Sequence, residues 1–162
     1  MTGVDPSLDP DQIASLGFLQ AINAKVIEYL RAIPELAVIK LMFSEDSKTL
    51  EQDLDQALRG TTPMSIMVAC GDAKDSAPGV PNMLRFDPLE IIIVCMEQPN
   101  LSRGNGGTGL TVNRVAELVA VRLKGERVDQ AFFTKADFRL PTEDLGTVAA
   151  RSVVLTISAT LT

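Results

Sequence analysis

Two features of this 162-residue chain could do chemistry, and the first is "GNGGTG", Gly104 to Gly109. It matches G-x-G-x-x-G, the pattern whose glycines let a dinucleotide pyrophosphate approach the N-terminus of a helix. An apolar strand, Ile91 to Met96, precedes it, and a helical pattern from Thr111 to Lys124 follows. The context departs from the fingerprint in three ways. Glu97 to Arg103, including Pro99, separate the first glycine from the strand, where the turn should be immediate. The acid at the right distance, Asp129, precedes the next strand instead of ending it, and the chain then enters a hairpin where a parallel strand is required. No Gly-Lys-Ser/Thr ends the run, so it is not a P-loop either.

The second feature is Asp72 and Asp75 with Lys74 between them, in a run that reads as a loop. Acids in turns mostly solvate or cap backbone, and a loose cation site is the alternative reading. The acids of "SEDSKTLEQDLD" lack the Gly and Glu positions of a calcium loop. The chain has no His, which removes the commonest general base and metal ligand, and its two Cys cannot build a four-ligand zinc site. Cys70 and Cys95 lie in apolar strand-like runs without C-x-x-C, as expected for buried thiols and not for a disulfide. No catalytic, cofactor-binding or metal-ligating residue emerges, and the expectation is a protein that is not an enzyme.

The elements that position these residues read as α-β-α-β-β-α-β-β. "DPDQIASLGFLQAINAKVIEYLRAI" carries Ile13, Leu16, Leu19, Ile22, Val26, Leu30 and Ile33 at helical spacing, with Asp9 as N-cap, Pro10 at the first position and Pro34 as the stop. Ala37 to Phe43 is a strand. "SKTLEQDLDQALRG" is an acidic helix capped by Ser47 and ended by Gly60, with Leu50, Leu54, Ala57 and Leu58 facing inward. Strands follow at Met64 to Cys70 and Leu84 to Glu97, the second holding Pro88 at its start or at a bulge. Its apolar run predicts cover on both faces. The closing strands "FFTKADFRL" and "SVVLTISATL" alternate cleanly around the turn "PTEDLG", predicting an antiparallel hairpin.

This order predicts an α+β fold, a mostly antiparallel or mixed sheet of about five strands with helices mainly on one face. A half-apolar open sheet face invites a partner. One domain spans 1–162, with 1–9 as a flexible leader and 71–83 and 98–110 as mobile loops. Nothing at the N-terminus marks it for export, and no apolar run approaches the ~20 residues of a membrane span.

The net charge of −6 argues against general nucleic-acid binding. It is uneven: residues 1–60 hold ten acids against five bases, and residues 98–127 hold five bases against two acids. Such patches are either solvated faces or the two sides of a self-complementary contact. The glycine loop likewise is either a solvated connection or a segment ordered by a neighbouring subunit. The candidate contact residues are Asn100, Arg103, Asn105, Thr108, Arg114, Arg122, Lys124 and Arg127.

The element order over residues 10–161 carries a resemblance, together with the closing strand "ARSVVLTISATL" and the segment "IIIVCMEQPNLSRGNGGTGLTVNRVAELVAVRL". In that segment an apolar strand runs through an acid-x-Pro-Asn turn into a Gly-Thr-Gly loop and a helix. The chain resembles the tail terminator (tail completion) proteins of long-tailed double-stranded DNA bacteriophages and related phage-like particles. The resemblance implies a structural virion protein, assembled in the bacterial cytoplasm, that forms a ring, expected to be hexameric, on the head-proximal end of the tail tube. It would stop tail polymerisation and meet the head-side connector, while DNA passes through without specific binding. Its partners would be itself, the tail tube protein and the connector. The alternatives are another neck, head–tail joining or minor tail protein and, from a different class, a small nucleotide-binding enzyme using Gly104 to Gly109.

Overall fold

A computed structural model describes residues 17–103, 109–128, 131–140 and 147–161. Helix α1, Phe18–Arg31, is followed by a single 3-10 turn at Pro34–Leu36. Pro34 opens that turn after the helix has already ended. Strand β1 (Leu41–Ser44), helix α2 (Leu50–Arg59), and the long strands β2 (Met64–Asp75) and β3 (Leu84–Glu97) come next. A one-turn helix α3 (Pro99–Ser102) and helix α4 (Val112–Leu123) precede the two-residue strands β4 (Arg127–Val128) and β5 (Ala131–Phe132). The chain closes with β6 (Lys135–Arg139) and β7 (Ala149–Leu161).

The fold is α+β. Five strands form one mixed sheet in the order β1-β2-β3-β7-β6, and β4 and β5 pair separately. Strand β1 runs parallel to β2, and the other neighbours are antiparallel, including the expected β6–β7 hairpin. A register shift between Phe86 and Leu89 places Pro88 at an irregularity, where its missing N–H costs no ladder bond.

Alternation along the strands divides the core. Met42, Ile66, Val68, Leu89, Ile91, Ile93, Cys95, Val153, Leu155 and Ile157 face α1 and α4, which contribute Ile22, Val26, Ile27, Leu30, Val115, Val119 and Leu123. On the other face, Leu41, Phe43, Met67, Val94 and Met96 meet Leu50, Leu54, Ala57 and Leu58 of α2. The two-sided apolar run in β3 is therefore covered by two helices on one side and by α2 at its end on the other. Beyond α2, Ile92 is half-buried and Val154 is buried. Arg139 on the edge strand reaches Glu90 on β3, 3.1 Å away. By register this pair brackets Val154, which sits between Ser152 and Thr156 on β7.

Three expectations need correction. Residues 71–83 are not all loop. Strand β2 continues to Asp75 through two register shifts, because pairing of Ala73 with Leu89 and of Asp75 with Phe86 outweighs a composition of Gly, Asp and Lys. Helix α2 begins at Leu50 with Thr49, not Ser47, as N-cap. The Ser47 hydroxyl instead accepts from the Thr49 N–H and donates to the buried Asp53. The alternation in "FFTKADFRL" is broken, since Phe133 is fully buried while Phe132 and Phe138 are exposed, and only Lys135–Arg139 joins the main sheet. The leader 1–9, the proposed Asp9 cap with Pro10, and the turn "PTEDLG" lie outside the described residues.

Ile93 sits at the centre of the helix-covered face and is fully buried. Ile93→Ala should lower stability by about 3 kcal/mol, read as a shifted urea midpoint at unchanged slope.

Candidate functional site

The end of β3 turns a corner in four residues, Glu97-Gln98-Pro99-Asn100, and each of the first three has a task. Pro99 opens the helical turn α3, where its lack of an N–H is harmless. The Gln98 side-chain amide donates to the carbonyls of Ala57 and Thr62, both 3.1 Å away, and so binds the C-terminal end of α2. Its backbone N–H donates to Pro63 at 2.9 Å.

Glu97 is the centre of the site. Its side chain is 0% exposed, yet every acceptor position is filled. Oε1 accepts from Arg103 Nη2 at 2.9 Å and from the Val112 backbone N–H at 3.0 Å. Oε2 accepts from Arg103 Nε at 2.8 Å and from the Ser102 hydroxyl. The two parallel guanidinium bonds form the strong bidentate pair that carboxylate geometry favours. Burial alone would push the Glu97 carboxyl pKa up. The bonds from Arg103, Ser102 and Val112 outweigh it and hold the group below the ordinary carboxylate range.

This carboxylate grips the glycine-rich segment on both sides. Ser102 and Arg103 lie just before it, and Val112, the first residue of α4, lies just after. Gly109 closes the base, donating to the Ser102 carbonyl at 3.3 Å. Its φ of 73° requires a residue tolerant of the left-handed region. Helix α4 is capped as well, with the Thr111 hydroxyl accepting from the Arg114 N–H. The N-terminus of α4 that a pyrophosphate would need already holds the Glu97 carboxylate and the Thr111 hydroxyl.

The eight candidate contact residues do not converge. Asn100 is exposed on α3. Arg103 directs its guanidinium to Glu97, although its side chain keeps 55% of its surface in solvent. Asn105 and Thr108 lie outside the described residues. Arg114 pairs with Glu117 at 3.6 Å near the start of α4. Two turns along, Arg122 pairs with Glu35, and its carbonyl accepts from the Tyr29 hydroxyl. Lys124 is an exposed C-cap, and Arg127 stacks over the Phe132 ring, 5.8 Å from its centroid. The basic surplus is thus strung along α4 and partly neutralised by acids.

Glu97, Gln98 and Ser102 are the residues that sequence reasoning missed. The available signal was an acid ending an apolar run with an arginine six positions on. Among the described residues no group of three or more His, Cys, Asp or Glu is placed to hold a metal. Asp75 caps the turn after β2, accepting from the N–H groups of Ala77 and Arg85. Both cysteines are free thiols, Cys95 buried and Cys70 half-buried. Burial pushes each up to about 12, with Glu45 and Asp46 adding to the effect at Cys70. No helix among the described residues is long and apolar enough to cross a membrane. Neither a scan against protein-family models nor a search of curated proteins finds a match.

Because the Glu97 pKa is depressed in the fold, its stabilisation is complete above the unfolded carboxyl value of about 4.3 and is lost as pH falls through the folded value. The protection of the Val112 amide, relative to its intrinsic exchange rate at each pH, should fall at acid pH before that of the β3–β7 core, and Glu97→Gln should remove this acid dependence. Glu97→Ala, which leaves the Ser102 hydroxyl and the Val112 N–H without their acceptor, should cost about 3 kcal/mol in denaturant unfolding. Since the thiolate is the reactive species, native protein at neutral pH should resist iodoacetamide at both cysteines, and unfolded protein should label fully.

Proposed function

We propose that this chain is a ring-forming tail terminator of a long-tailed phage or phage-like particle. It would cap the head-proximal end of the tail tube and join it to the head connector. The observation that carries the reading is the Glu97 joint. The acid-x-Pro-Asn turn and the helix that carry the family resemblance are joined through the acid, which bonds Arg103 before the glycine-rich segment and Val112 after it. A segment rich in small residues, with one carboxylate bonded to the residues on both sides of it, suits contact with a neighbouring subunit or tube.

Other features support the same role. The sheet has an open face beyond α2 where Ile92 is only half-buried. Phe138 and Leu140 stay exposed at the β6 edge. The net charge of −6 would let a subunit line a DNA channel without gripping phosphate. The proposed location is accordingly the tail or neck of the virion. The competing nucleotide-enzyme reading is disfavoured by the engaged N-terminus of α4.

Particles assembled without this protein should carry overlong tails when viewed by electron microscopy, and tails of normal length would sink the proposal. A panel of nucleotides should leave the melting temperature unchanged. A true binder at a hundredfold excess over its Kd would gain about 2.7 kcal/mol.

A further inference from the structure

The main sheet ends in two unpaired edges. One is β6, Lys135–Arg139, the last strand in the order. On the other side the end strand is β1, which pairs with β2 only from Ser65 to Val68; past the Cys70 N–H, held by Glu45, the outer side of β2 has no strand partner among the described residues. From β1 to β6 the strand directions alternate after the first parallel pair, so β6 runs opposite to β2. A second copy placed head-to-tail in the same sheet plane therefore sets β6 antiparallel to the next copy's β2, the more stable pairing.

We infer that β6 of one copy pairs with the Gly71–Asp75 edge of β2 in the next, past the Cys70 N–H that the Glu45 carboxylate occupies, extending the sheet from subunit to subunit. The register follows from what blocks it. Along the ladders, Phe138 is level with Val153, Ile93, Val68 and Ser44. Unshifted docking would thus drive Phe138 and Arg139 into the neighbour's β1. Sliding β6 by about four residues, or about 13 Å, clears β1. It then sets Arg139 opposite Asp72, Phe138 opposite Ala73 and Asp137 opposite Lys74. Strand stagger of this kind is what closing a sheet into a ring demands.

Charge and size both fit this register. Asp137 and Arg139 lie on the face shared with Val154, and Asp72 and Lys74 lie on the side away from Ala73, which pairs with the core residue Leu89. Asp137 and Arg139 therefore each meet an opposite charge across the joint, while Lys135 falls beyond the end of β2. Their present partners are surface pairs, Lys135–Asp137 at 3.5 Å and Arg139–Glu90 at 3.1 Å, with Asp137 and Arg139 still 41% and 54% exposed. On the helix side, Phe138 is half-exposed and would lie against the small Ala73. Next to it, Phe18, Leu19, Leu84 and Phe86 line an open groove of about 380 Å³. Edge strands that avoid pairing carry charges without large apolar side chains. This one presents Phe138 and Leu140 as well.

The pairing deepens the ring reading and rests on it only for closure of the ring. Its test is a chain carrying Lys74→Cys and Asp137→Cys with Cys70→Ser, mildly oxidised at increasing concentration. The two new cysteines sit on opposite edges of one sheet, so a disulfide between them forms only between copies. A reducible ladder on a gel, absent when either cysteine is introduced alone, is the expected result. In sedimentation, Asp137→Lys should weaken self-association about fivefold, and adding Lys74→Asp should restore it. A discrete oligomer that forms without this cross-link overturns the edge pairing and leaves the ring reading standing. An open-ended ladder supports the pairing and counts against a closed ring. A chain monomeric at every concentration also overturns the pairing, and tail length then decides the ring reading alone.

Discussion

The buried carboxylate of Glu97 is the constraint on which the upper end of the molecule depends. A carboxylate removed from water is costly unless its lone pairs are answered by donors. Here four donors come from three positions after the strand: a hydroxyl, a guanidinium fork and a helix N-terminus. The carboxylate and the start of α4 satisfy each other, since Val112 has an N–H without an intrahelical partner and the helix end favours negative charge. One acid thereby fixes where the strand stops, where the loop begins and where the next helix points.

That joint also couples the two layers. Gln98, the next residue, ties the same corner to the carbonyls at the end of α2, which packs on the opposite sheet face. The helices α1 and α4 are held together at their far ends by the Tyr29 hydroxyl and the Glu35–Arg122 pair. Such surface pairs contribute little on their own. Most of the stability lies in the aliphatic layer between these helices and β2, β3 and β7. The polar joint selects one arrangement of loop and helix on top of that layer.

The same economy of roles appears at the sheet margins. Strand β1 is short and protects only the first half of the β2 edge, while β6 covers only the middle of β7. Most of the exposed large apolar residues lie near helix ends, at the β6 edge and at the β2–β3 turn, with Phe132 on β5 and Val38 before β1 as the others, and the open sheet face is capped in part by the Arg139–Glu90 pair. These are the margins at which a second chain can add strands.

Local periodicity determined the element order, the α+β class, the β6–β7 hairpin and the irregularity at Pro88, because side-chain alternation and the missing proline N–H are properties of neighbours in sequence. It also identified the glycine loop and the mismatch of its context with a dinucleotide fingerprint. What only tertiary structure decided were interactions between residues distant in sequence or in identity of environment. The extension of β2 to Asp75 depends on a ladder with β3, not on its own composition. The split of three helices between two faces depends on which side of Phe43 and Met96 is left open. Arg103 reads from sequence as a free loop cation, and the fold turns it onto Glu97. An arginine's partner is set by three-dimensional proximity and burial, which a one-dimensional pattern does not carry.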